Sequence, residues 1–202
     1  TYRQEWLAEF VDDAGGVFRD VRGLIDHVPI ADQAGGVYVA GIDWGREHDY
    51  TVVAIIDVAA HTLAHIDRWT GIPYALQIQR LLALLERYPC DLIIAEKNAM
   101  GGPIVEQLFY EHNMPIRPFT TTHQSKAQII DALALAIERR SLGLRDVPWL
   151  IDELEAFAVL RQSAIGLPSY GAPDGMHDDG VIALALAWRG VAWWHGGAID
   201  ER

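Results

Sequence analysis

The sequence predicts an α/β domain, a mixed sheet of about five strands with helices on both faces. Two observations carry that expectation. Three runs rich in β-branched and aromatic residues, Val37–Ile42, Thr51–Ile56 and Leu63–Trp69, succeed one another across short connections, as an antiparallel meander does. After Trp69 the pattern alternates between helical periodicity and short apolar runs, which is how crossovers return strands to one sheet.

Taken in order, residues 1–35 differ from the rest of the chain. Arg3–Phe10 has Trp6, Leu7 and Phe10 at helical spacing, and Gly15-Gly16 and Gly35-Gly36 bracket a polar stretch of mixed charge. These residues read as a linker segment that packs on the domain or joins it to a preceding one, and the globular unit as 36–202. The first two strands form a hairpin around Trp44–Tyr50. Pro73 suits the first turn of a helix with Leu76, Leu81, Leu84 and Leu85 inward, ending before Pro89. Asp91–Glu96 is apolar on both faces and therefore central. Gly101-Gly102-Pro103 opens a helix to about His112, and Ile116–Phe119, with Pro115 before it and Pro118 within it, suits an edge strand. Ser125 is placed to cap a helix running to about Arg140, with Ile129, Leu133 and Ile137 inward. Trp149–Leu160 reads as an amphipathic helix and residues 162–177 as loop. The Val181–Trp188 run makes the last helix, Asp178–Trp194, apolar nearly all round and thus buried.

Half of the residues are hydrophobic, but no window of about 18 apolar residues appears, so no membrane partner is expected. The single Cys90 excludes a disulfide framework and a multi-cysteine metal site. The net charge of -12 argues against a basic nucleic-acid coat; Lys97 and Lys126 are the lysines among 16 Lys and Arg residues. It does not argue against a nuclease, because an acidic excess can include carboxylates that bind divalent cations and so reverse the local field. A chain opening at Thr1 is expected to come from a longer one.

Three acidic features share one property: each sits at the end of an element that belongs in the core. Asp43 ends the first strand, Glu96 the fourth, and Asp178-Asp179 begins the buried C-terminal helix. Singly they have ordinary readings: Asp43 as a turn former, Glu96 as the partner of an arginine, Asp178 and Asp179 as helix cap and dipole complement. Together they point elsewhere. If strands one and four are parallel neighbours, Asp43 and Glu96 emerge at one sheet edge, and the helix brings the aspartate pair across it. Converging carboxylates repel unless a proton or cation neutralises them, and hard oxygen ligands select Mg²⁺ or Mn²⁺. Two ions about 4 Å apart suit phosphodiester hydrolysis.

The stretches GIDWGREHDYTVVAIID, DLIIAEKNAMGG, TTHQSKAQIIDALALAIE and APDGMHDDGVIALALAW resemble the nuclease domain of large terminase subunits of tailed bacteriophages, from Val37 to Trp194. The His177-Asp178-Asp179 run before an Ala/Leu-rich helix is the most specific piece. The resemblance implies the RNase H/retroviral-integrase-like fold and a metal-dependent, largely sequence-independent endonuclease that cuts concatemeric double-stranded DNA. It places catalytic, metal-ligating roles on Asp43, Glu96 and the Asp178-Asp179 pair, and implies Mg²⁺ or Mn²⁺, two ions. Lys126, His177 and Lys97 become candidate DNA contacts, with Lys97 alternatively balancing the acids. Residues 1–20, with RQEWLAEFVDDAGGVF, resemble the segment that joins the family's ATPase and nuclease domains, so 1–35 become the linker from an N-terminal ATPase domain; no GxxxxGK[ST] pattern of such a motor occurs here. Implied partners are DNA, that ATPase domain, the portal protein and the small terminase subunit, in the cytoplasm of the infected host. Asp49 belongs to the hairpin turn, while Arg46, Arg139, Arg140 and Arg145 are further candidates for DNA-backbone contacts.

Other readings predict other measurements. A Holliday-junction resolvase of the same fold would prefer four-way junctions over linear duplex. A sugar-kinase or actin-like ATPase would need a second such domain and another phosphate loop. A docking module would bind the portal or small subunit with its acids inert.

Overall fold

In the computed structural model of the chain, the described residues are 16–25, 36–45, 49–98, 101–162 and 168–196. The candidate helix at Arg3–Phe10 lies outside them. The main sheet contains β1 (Tyr38–Asp43), β2 (Thr51–Asp57), β3 (Thr62–Trp69), β4 (Cys90–Glu96) and β5 (Ile116–Phe119), in the order β3-β2-β1-β4-β5. The first three strands pair antiparallel, whereas β4 joins β1, and β5 joins β4, in parallel. The helices are α1 (Tyr74–Arg87), α2 (Gly101–His112), α3 (His123–Glu138), α4 (Pro148–Ala156) and α5 (Asp179–Gly196).

Strand alternation sorts the core into two layers. Ala40, Ile42, Val53, Ile55, Ile93 and Ala95 pack under α1 and α2, with Leu81, Leu85, Ile104 and Leu108 facing them. Val39, Val52, Ala54, Ile56 and Ile94 face the other way, toward α3, α4 and α5. Val17, Phe18, Val21 and Leu24 join that second layer, so part of the stretch assigned to the linker lies against the domain. Gly41 carries the closest approach, because a Cβ there would run into the Ala183 carbonyl and the Ala187 amide of α5. The helix therefore rests almost directly on the backbone of the central strand.

Four expectations need correction. Leu76 is exposed, and the inward face of α1 instead carries Gln77, Ile78, Leu81 and Leu85. Gln77 lies inward because its side-chain carbonyl accepts the Thr51 hydroxyl at 2.7 Å and its amide donates to the Ile72 carbonyl at 3.0 Å. Pro73 precedes the first turn of α1, at its N-cap. Thr122, not Ser125, caps α3: its hydroxyl accepts the Ser125 N–H, and the Ser125 hydroxyl accepts the Thr122 N–H in return. Finally, α4 stops at Ala156. Phe157 turns extended and fully buried, and its carbonyl takes the Val17 N–H at 2.9 Å. Beyond it the chain forms a two-stranded hairpin, β6 (Ala158–Gln162) with β7 (Pro168–Gly171), where helix and loop are expected from sequence.

Candidate metal centre

The register of the two central strands sets the first two acids. In the parallel ladder Gly41 pairs with Ile94 and Ile42 with Ala95, so Asp43 and Glu96 are one step further on. Both share the parity of Val39 and Ile94, which face α5. Strand pleating thus aims both carboxyls at the start of the helix. They are hydrogen-bonded to each other. Burial, this bond to Glu96, and then the charges of Glu96, Asp179 and Asp178 hold the Asp43 carboxyl well above the usual carboxylate range.

The second pair arrives from the helix. Asp178 precedes α5 and its carbonyl accepts the Ile182 N–H at 3.0 Å, while Asp179 is the first helical residue. One Asp179 oxygen accepts the Tyr50 N–H at 3.3 Å and lies 3.5 Å from Nδ1 of His177. Burial pushes its carboxyl up to about 6; the Tyr50 N–H opposes this, and the charges of Asp178 and Asp49 add to it. Asp178 faces Lys126, at the start of α3, with Nζ to Oδ2 at 2.9 Å.

Of the residues singled out by sequence, Asp43, Glu96, Asp178, Asp179, Lys126 and His177 come together at one end of the sheet. Lys97 is exposed one residue past β4, its N–H continuing the ladder to the Phe119 carbonyl at 2.9 Å. Asp49 is exposed in the hairpin loop, yet its charge reaches Asp179. Arg46 lies outside the described residues. Arg140 pairs with Asp20, and Arg145 donates to the Leu63 carbonyl at 3.0 Å. With Arg139 at the C-terminus of α3, they occupy the opposite end of the domain and do not join the acids.

Among the described residues no three acid, imidazole or thiolate groups form a ready-made coordination shell. The contacts explain why: Asp43 and Glu96 bind each other, and Asp178 binds Lys126. The donor set is nonetheless right for a hard divalent cation. All four acids are oxygen donors whose like charges oppose one another, and a dication removes that opposition.

No family model matches the sequence. The large terminase subunit of Thermus phage G20c is 30% identical over 197 residues, which span 93% of this chain and 40% of that protein. The crystal structure of the large terminase nuclease from thermophilic phage G20c with bound magnesium has a TM-score of 0.76 at 27% identity, covering 88% of this chain and 98% of that one. The chain belongs to the phage large-terminase nuclease family. The large terminase nuclease domain of Thermus phage P74-26, at 24% identity and a TM-score of 0.73, shares the fold over 93% of this chain and 100% of its own. The mixed five-stranded sheet is the RNase H-like architecture of these nuclease domains.

Within this family member, two residues beside the acids escape a reading by motif. Glu153, on α4, is buried; its Oε2 accepts the Gly180 N–H at 2.8 Å and its Oε1 lies 3.4 Å from Arg68. Burial pushes the Glu153 carboxyl up to about 7, against the opposing effects of the Gly180 N–H and Arg68. Arg68, near the end of β3, stacks between the rings of Tyr50 and Trp149, at 4.5 and 4.3 Å from their centroids. The signal for Glu153 exists in the sequence: it sits at an inward position among Leu150, Ile151 and Leu154, where a charged residue needs a partner. Arg68 gives no such signal, because an arginine near a strand end is ordinary.

Proposed function

We propose that this domain is a divalent-metal-dependent endonuclease that cuts concatemeric double-stranded DNA during phage DNA packaging, with little sequence preference. The observation that carries the reading is Asp43: a buried carboxyl at the end of the central strand, facing three further acids that push its proton affinity up. A structural aspartate would be expected to find backbone N–H groups or an arginine there. The magnesium-bound relative lends the choice of ion, Mg²⁺ or Mn²⁺.

Asp43, Glu96 and the Asp178-Asp179 pair are the residues that would hold the cations. Bound there, such ions would supply a water nucleophile at neutral pH and stabilise the leaving oxygen of the phosphodiester. The protein's own groups do the rest. The Tyr50 N–H fixes one Asp179 oxygen, and the packing of α5 on Gly41 fixes the helix against the strand. Lys126 and His177, both partly exposed beside the acids, are placed to meet DNA phosphates. Lys97, exposed beyond β4, would act further out along the backbone.

The chain spans 40% of the length of the curated relatives it matches. The linker role of residues 1–35, an ATPase domain preceding them, docking to portal and small subunit, and action in the host cytoplasm belong to this proposal. Plasmid nicking by the purified chain tests its core. Conversion of supercoiled DNA with Mn²⁺ or Mg²⁺, none with EDTA, and none by Asp43→Ala is the expected pattern. Full cutting by Asp43→Ala would overturn it.

A further inference from the structure

We propose that Glu153 caps helix α5 from outside the helix, freeing the Asp178 carboxylate for the acidic site, and that Arg68 clamps Glu153 in place. The inference rests on the reading of the four acids as a cation site. An aspartate at a helix N-cap ordinarily turns its carboxylate back to accept the N–H of the second or third helical residue. Asp178 occupies the N-cap, since its carbonyl accepts the Ile182 N–H and the helix begins at Asp179. Yet the N–H of Gly180, the second helical residue, goes to Oε2 of Glu153 on a different helix. The Asp178 carboxylate points instead to Lys126.

The arrangement needs glycine at 180. A Cβ there would lie 2.6 Å from the Glu153 oxygen and 2.7 Å from the Trp149 ring, so a side chain would displace the cap. It also needs an anchor for Glu153. Arg68 lies between two aromatic faces and has little freedom to swing away, so its guanidinium fixes the direction of the carboxylate. Through the Tyr50 ring the same guanidinium braces the residue whose N–H holds Asp179. One clamp thereby positions both acids. Glu153 and Arg68 are positioning residues, since neither is placed to hold the cation. Without the external cap, the Gly180 N–H would be open to the ordinary N-cap acceptor, the Asp178 carboxylate, and would draw it back from the site.

Calorimetric titration of Mn²⁺ into the full 202-residue chain tests this with four proteins: the parent, Glu153→Met, Glu153→Gln and Asp43→Ala. Glu153→Met keeps the volume and removes the acceptor, and Mn²⁺ affinity is expected to fall by about tenfold or more, as for other groups that orient metal ligands. Glu153→Gln retains a carbonyl for Gly180 and is expected to stay within about threefold of the parent. Parent-like binding by Glu153→Met, with binding lost in Asp43→Ala, would overturn the capping role and leave the cation site standing. Equal losses in the Met and Gln variants would also overturn it, since charge rather than capping would then matter. Parent-like binding by Asp43→Ala would instead sink the cation site itself. Should Glu153→Met not fold, hydrogen exchange of the Gly180 amide in the parent decides. Protection matching the interior of α5 supports the cap, and exchange at the rate of an open amide overturns it.

Discussion

Asp43 and Asp57 end neighbouring strands of one sheet, at opposite ends, and both are buried, at 8% and 3% relative exposure. Their surroundings differ. The Asp57 carboxylate accepts the N–H groups of Ala59 and Ala60 at 2.9 and 3.0 Å and so builds the turn into β3. Asp43 is hydrogen-bonded to Glu96 and faces the Asp178-Asp179 pair. Burial therefore does not separate a structural acid from a chemical one. The partners do: N–H donors make Asp57 part of the scaffold, whereas other acids leave Asp43 in need of a proton or a cation.

The largest test of that contrast is a pair of alanine substitutions. Asp43→Ala is expected to cut Mn²⁺-dependent plasmid nicking by more than about 100-fold, beyond the usual cost of losing a group that merely orients a ligand, while the chain stays folded. Asp57→Ala is expected to leave the nicking rate per folded molecule unchanged and to lower stability by about 1–2 kcal/mol in urea, from two N–H groups losing their acceptor. Similar nicking rates for the two variants would erase the distinction.

The acidic end should also show itself in pH dependence. Asp179 holds its proton up to about 6 and Glu153 up to about 7, against ordinary values of 3.8 and 4.5. Across those windows the folded chain binds more protons than the unfolded one. Stability fully present below about pH 4 is then lost as pH rises toward about 7 in the metal-free protein. Millimolar Mg²⁺ should oppose that loss, raising the melting temperature more at about pH 8 than at about pH 5. Equal stabilisation at both values in a thermal scan would count against a carboxylate site. The smallest effect concerns Lys126, whose ion pair with Asp178 would compete with a cation bound there. Lys126→Ala should strengthen Mn²⁺ binding by no more than about fivefold, because a partly exposed pair is worth at most about 1 kcal/mol. The same variant should weaken DNA binding in a filter assay.

The five strands of the main sheet came from patterning alone, because alternation and apolar runs report directly on which faces are buried, whereas their spatial order needed the structure. The acids at strand and helix ends were legible for the same reason, as charges in places that favour apolar residues. Lys126 and His177 beside the acids came from family resemblance. What periodicity could not show was pairing between distant elements. Ala158–Gln162 continued a helical-looking pattern, and only its pairing with Pro168–Gly171, together with the burial of Phe157, makes it a strand. Arg140 and Arg145 looked available for DNA until Asp20 and the Leu63 carbonyl appeared beside them at the far end. Glu153 required the identity of its partner, an N–H on another helix that no local motif reveals.

The contact between Gly41 and α5 acts as a mechanical stop. Since main chain meets main chain there, the span between strand end and helix start cannot shrink, and any larger residue at 41 would wedge it wider. If the four acids hold cations as proposed, ions of different radius would be accommodated by rotation of those side chains, with the backbone frame left fixed. Selectivity among cations at such a centre would come from how far short aspartates can turn compared with the longer Glu96. The gauge of the site is set by a residue that never touches what it measures.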